Sequence, residues 1–176
     1  MLLKDFIRTS KAVTDAGGWT DKKMSKNPSR FPLWKPKGKK LGLAWRWRVV
    51  EFAMNDNTAQ SRVGRMLIAF RQDKQEYLAY VGIDELVGNG VLVIGCLEFH
   101  GTHVGWHVHG ACLPASPGCV GRERHEAMRR LPRGGRLHRR TDFVTNEDEA
   151  LLVAEEFFNF QGLSPVQTQT KLDFGS

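Results

Sequence analysis

The chain is poor in the residues that staple or anchor a protein. Its three cysteines, Cys96, Cys112 and Cys119, are an odd number at irregular spacing. Cys96 lies inside the apolar run GVLVIGCLEF, so a disulfide framework is not expected and the thiols read as reduced. No stretch of about 18 or more apolar residues occurs, which leaves no candidate for a membrane-crossing helix. The opening MLLKDFIRTSK carries charges where a secretory leader needs an apolar centre, so the expectation is a cytoplasmic protein without a membrane partner. Tyrosine is scarce as well: Tyr77 and Tyr80 are the only two, and none follows residue 80. Acidic residues number 19 against 26 Lys and Arg, a net charge of +7. That excess suits a polyanionic partner, because basic side chains that neutralise phosphates gain affinity by releasing counterions.

With 176 residues, 41% of them hydrophobic, the chain is long enough for one buried core and short for two. Residues 1–42 read as a basic N-terminal arm with a short helix over 3–13. Within it GGWTDKKMSKNPSRFPLWKPKGKK mixes helix breakers with Lys35, Lys37, Lys39 and Lys40. Trp19, Phe31 and Trp34 interleave with those lysines and could stack on bases, although a disordered leader would look the same. Residues 161–176 read as a flexible C-terminal tail, leaving 43–160 as a single α+β domain.

The texture from residue 43 is that of strands. LAWRWRVVEFAM alternates bulky and basic residues, as in a strand with one buried and one solvated face. RMLIAF and EYLAYVGI flank the polar turn RQDKQ, and GVLVIGCLEF and WHVHGACL flank HGTHVG, giving two hairpins. Near the C-terminus Asn146 followed by Glu149 is a capping-box pattern, with Leu151, Ala154 and Phe158 on one helical face. A second short helix is expected around ERHEAMRRL. The sum is an α+β fold: an antiparallel sheet of about five strands with helices packed on one face.

Four of the six histidines, His100, His103, His107 and His109, fall within ten residues. On a strand His107 and His109 project from one side, about 7 Å apart, and can converge on one ion. In the preceding strand Glu98 and His100 share a face with Leu92, Ile94 and Cys96. If the hairpin is centred between Thr102 and His103, Glu98 lies opposite His107; a slip of one residue sends it to the other side. An acid with two imidazoles suits Mn²⁺ or Mg²⁺, and Zn²⁺ is also compatible. A structural zinc site from His107, His109, Cys112 and Cys119 competes, although His109 and Cys112 differ in strand parity. His100-Gly101-Thr102 is a single His-x-Thr without the second copy that two-histidine phosphoesterases use.

His107-Val108-His109, followed by Gly110-Ala111 and preceded by a Gly-Trp turn and an upstream acid, resembles the two-histidine motif of HUH endonucleases, the group of rolling-circle replication initiators and plasmid relaxases. The likeness covers about twenty residues. It implies metal ligation by His107 and His109 with Glu98 or His100 as the third ligand, on a central strand of an antiparallel sheet. It also implies a tyrosine that attacks a DNA phosphate. The initiator position, on a later helix, is filled here by Phe157, Phe158 and Phe160, which cannot attack. The relaxase position, upstream, would fall to Tyr77 or Tyr80; metal-activated water is the alternative. The expected function is therefore a divalent-metal-dependent nuclease acting on single-stranded or hairpin DNA. A non-catalytic nucleic-acid-binding or inhibitory protein, of phage or mobile-element type, is the competing class.

Residues 121–140 hold eight arginines: Arg122, Arg124, Arg129, Arg130, Arg133, Arg136, Arg139 and Arg140. Their planar guanidinium forks suit phosphate, and beside a metal site they read as a grip on nucleic-acid backbone. In the tail, Gln169, Leu172 and Phe174 are spaced like the peptide by which replication proteins bind sliding clamps, which would make a clamp a second partner.

Overall fold

Met66, Ile68 and Phe70 alternate with Leu67 and Ala69, and all five are buried. Alternation sends the two sets to opposite sides of a strand, so burial of both requires a sheet covered on both faces there. The computed structural model describes residues 3–22, 45–55, 61–84, 91–100, 105–110, 129–130 and 143–165. They form α1 (Leu3–Arg8), β1 (Lys11–Asp15), β2 (Arg46–Asn55), β3 (Ser61–Arg71), β4 (Glu76–Asp84), β5 (Val91–His100), β6 (Gly105–Gly110), β7 (Arg129–Arg130), α2 (Glu147–Phe158) and β8 (Phe160–Gln161). The α+β class holds, but the sheet is larger than five strands and is mixed. Its eight strands run in the order β7-β6-β5-β4-β3-β2-β1-β8, antiparallel throughout except for the parallel β1–β8 pair. No helix among the described residues is long and apolar enough to cross a membrane.

Both helices pack on one face. Phe6 of α1 and Ala150, Leu151, Val153, Ala154 and Phe158 of α2 join Val50, Phe52, Met66, Ile68, Tyr77, Val81, Leu97 and Trp106 in the main core. The opposite face carries a smaller cluster of Trp45, Leu67, Ala69, Leu78, Tyr80 and Cys96. Gly64 lets β3 fit into the main core: a Cβ there would lie 2.4 Å from the Phe52 ring and 2.5 Å from Gly82 O. At the α2 cap Asn146 Oδ1 accepts from Glu149 N at 2.9 Å, as the sequence anticipates, while Glu149 Oε2 accepts from Thr145 N at 2.7 Å, one residue before the N-cap.

Four features depart from the sequence reading. The N-terminal helix stops at Arg8 rather than 13, where Thr9 turns its amide and hydroxyl back onto Asp5 O. Lys11 then starts β1, which lies between β2 and β8 in the sheet. Trp19, one of the rings that could stack on bases, packs edge-on against Phe70 with centroids 5.5 Å apart. Arg48, expected on a solvated face, is buried and donates to Ala16 O (2.7 Å) and Gly17 O (3.0 Å). That clip needs Gly17, whose φ is +60° and where a Cβ would fall 2.1 Å from Val49 O. Lastly, Arg129 and Arg130 pair with β6 as a strand, where the sequence pattern favours helix. Phe31, Trp34, Lys35, Lys37, Lys39 and Lys40 lie outside the described residues.

Lys11 ties the two helices to β1. Its buried Nζ donates to Phe6 O and Phe158 O, both at 2.5 Å, and to Thr9 O. It also lies 4.2 Å from the Phe6 ring centroid. Carbonyls at helix C-termini favour a cation. Burial opposes them and lowers the Lys11 pKa from its ordinary 10.5 to about 7.

Candidate metal centre

The strands β5 and β6 form the hairpin that the histidine spacing anticipates, in the register that brings the acid to the imidazole. Glu98 pairs with His107, Leu97 with Val108 and Cys96 with His109. On the other side of β5, Tyr80 pairs with Cys96 and Leu78 with Glu98. Alternation therefore places Tyr80, Cys96, Glu98 and His107 on the helix-free face. There all four are buried, with Glu98 and His107 each only 2% exposed.

One part of the expected face is corrected. Val81 pairs with Gly95 and Gly82 with Val93, so Ile94 is an extra residue opposite β4. This bulge reverses parity along β5. Ile94 joins the main core beneath the helices, while Cys96 and Glu98 point to the other side.

Within the cluster, Glu98 Oε2 lies 3.6 Å from His107 Nε2. Oε1 accepts from the Tyr80 hydroxyl at 3.3 Å and lies 3.5 Å from Cys96 Sγ. A direct charge-assisted hydrogen bond would be about 2.7–2.9 Å. Two ligands of one ion, each about 2.1 Å from it at near-tetrahedral angles, sit about 3.4 Å apart. At 3.6 Å, Oε2 and Nε2 form a loose ion pair, at a spacing close to that of two donors to a tetrahedral cation. Among the described residues, no group of three His, Cys, Asp or Glu side chains is arranged to hold a metal. The side chains of His100 and His109, which would complete the set, lie outside the described residues.

The two tyrosines part company. Three positions separate them on β4, so they face opposite sides of the sheet. Tyr77 is in the main core, its hydroxyl donating to Ala150 O at 3.0 Å and its ring 5.1 Å from Trp106. It is removed from the Glu98–His107 pair by the thickness of the sheet, whereas Tyr80 joins that pair. This division was available from strand parity alone. Phe158 and Phe160 are buried in the main core and Phe157 packs against it.

Of the arginine block, Arg129 and Arg130 are placed, through their backbones, beside the site. Arg130 pairs with His107 and Arg129 with Val108. Arg122, Arg124, Arg133, Arg136, Arg139 and Arg140 lie outside the described residues, as do Cys112, Cys119 and the tail residues Gln169, Leu172 and Phe174. No known protein family, curated protein or solved structure matches the chain.

Proposed function

We propose that the protein is an HUH-like, divalent-metal-dependent nuclease acting on single-stranded or hairpin DNA. The observation that carries this reading is the direct opposition of Glu98 and His107 across β5 and β6, with Oε2 and Nε2 3.6 Å apart on the buried helix-free face. Glu98 and His107 would hold Mn²⁺ or Mg²⁺, with Zn²⁺ also meeting the donor chemistry, and His109 would supply the next ligand along β6. A bound cation supplies Lewis-acid polarisation of a phosphoryl oxygen. Arg129 and Arg130 pair with β6 beside His107, and the arginines between 122 and 140 would hold the phosphate backbone.

Water is the attacking group in this reading, because Tyr77 faces the other side and the Tyr80 hydroxyl is committed to Glu98. The water oxygen would form the new bond to phosphorus as the scissile P–O bond breaks, and the proton the water gives up would pass to the departing oxygen. The tail residues Gln169, Leu172 and Phe174 would add a sliding clamp as partner. A second reading, a non-catalytic nucleic-acid-binding protein, is favoured by one feature: Phe157, Phe158 and Phe160 stand where an initiator's tyrosine is expected, and the latter two are core residues.

Labelled single-stranded DNA and RNA incubated with the protein and Mn²⁺ separate the two. Cleavage by the wild type and loss of at least a hundredfold in rate for His107→Ala support the nuclease. Binding without cleavage supports the second reading.

A further inference from the structure

Arg48 is a buried cation that no carboxylate meets directly. It is 9% exposed, and its Nε and Nη2 donate to the neutral carbonyls of Ala16 and Gly17. Among the described residues Nη1 has no hydrogen-bond partner and the guanidinium has no ion pair. Glu147 and Asp15 act on it by attraction at longer range. Burial pushes its pKa below the usual arginine range, although arginine stays charged in proteins. A buried charge in this state is costly until a counter-charge reaches it.

Arg48 lines a pocket of about 440 Å³, within the roughly 300–1,000 Å³ of small-molecule sites. Trp19 forms another wall, held by Phe70 at its edge and by the Arg48 guanidinium 5.5 Å from its ring centroid. Leu151 of α2 and Leu163 and Pro165, which follow β8, add apolar lining. The segment after β8 is fixed there by Glu155 Oε2, which accepts from Leu163 N at 2.6 Å and Ser164 N at 2.7 Å. Two acids share the lining. Glu147 is committed to Arg46 Nε at 2.5 Å, whereas Asp148 is exposed and has no ion pair among the described residues. Arg48 shares the helix side of β2 with Val50 and Phe52, so the sheet separates this pocket from Glu98 and His107.

We propose that this pocket binds a free α-amino acid with an apolar side chain, its carboxylate accepting from Arg48 Nη1 and its ammonium donating to Asp148. The lining holds one uncommitted cation and one uncommitted carboxylate, and a zwitterion answers both. A multiply charged anion such as phosphate is opposed by the two acids, and a cation without a carboxylate is opposed by Arg48. The ligand's side chain gains by removing Trp19 and Pro165 surface from water.

Calorimetric titration of the full chain in EDTA with L-phenylalanine and L-leucine tests this. L-phenylalaninamide, which lacks the carboxylate, sodium phosphate and deoxyguanosine monophosphate are the comparison ligands. Saturable binding of at least one of the two amino acids is expected, with all three comparison ligands weaker by roughly ten- to a hundredfold. Asp148→Asn, with a thermal melt to report folding, is expected to weaken the amino acid roughly fivefold. No saturable binding of either amino acid, or equal binding of the amide, overturns the proposal. So does phosphate or the nucleotide binding as tightly as the amino acids, which would make the pocket an anion or nucleotide site. A folded Asp148→Asn with wild-type affinity overturns it too; if that variant does not fold, the ligand series on the wild type decides. With metal withheld by EDTA, failure here is separate from failure of the nuclease reading.

Discussion

Glu98 and His107 face each other across β5 and β6 with their nearest oxygen and nitrogen 3.6 Å apart, in a part of the sheet where both are almost wholly buried. Replacing Glu98 by Gln keeps the shape and an acceptor for Tyr80 while removing the charge. Glu98→Gln is therefore expected to fold with a stability change within about 1.5 kcal/mol and to lose Mn²⁺ binding. Denaturant unfolding and metal titration on the same preparation check both halves.

Tyr77→Phe provides the contrast. It removes a buried hydroxyl that donates to Ala150 O on the helix side of the sheet. The expected cost is about 1 kcal/mol of stability, with metal binding and DNA cleavage unchanged. A hundredfold loss of cleavage in Tyr77→Phe would mean that the wrong face has been assigned to the chemistry.

Lys11 gives the fold a pH dependence of definite sign. Its folded pKa of about 7 lies below the ordinary 10.5. Between those values the unfolded chain binds the extra proton, so stability rises as pH increases through that window. Chemical denaturation from pH 7 to pH 10 should show an upward contribution on the order of a few kcal/mol. Lys11→Met should flatten it. The same substitution leaves the carbonyls of Phe6, Thr9 and Phe158 without the amine, which opposes any gain at pH 7.

Gly64 is held by its surroundings. A methyl group there would enter the space of the Phe52 ring and of Gly82 O, one a core side chain and the other backbone of the next strand. Gly64→Ala is expected to destabilise by roughly 2–4 kcal/mol, read as a lowered melting temperature. A melting temperature equal to wild type would show that β3 can move away from β2 and β4 at little cost.

The parts of this architecture that repeat over several residues were legible in the sequence. Both hairpins and the α2 cap at Asn146 follow from alternation and turn chemistry, whereas the opposition of Glu98 to His107 was one of two registers the sequence left open. What escaped is shorter than a period or depends on distant partners. The strands β7 and β8 have two residues each, too few to show alternation. The bulge at Ile94 is a single extra residue whose only sequence trace is the neighbouring Gly95, yet it decides which side Ile94 faces. The buried Lys11 reads as a surface residue until Phe158, 147 positions away, is brought to its amine. Tyr77 and Tyr80, by contrast, could have been assigned to opposite faces by counting three positions along β4.

The measurement that bears most directly on the proposed metal centre is an anomalous difference map from crystals of the full chain soaked in Mn²⁺. A peak about 2.0–2.3 Å from both Glu98 Oε2 and His107 Nε2 is the expected result. A map with no peak there, in which Oε2 and Nε2 have closed to a hydrogen bond of about 2.8 Å, would contradict it.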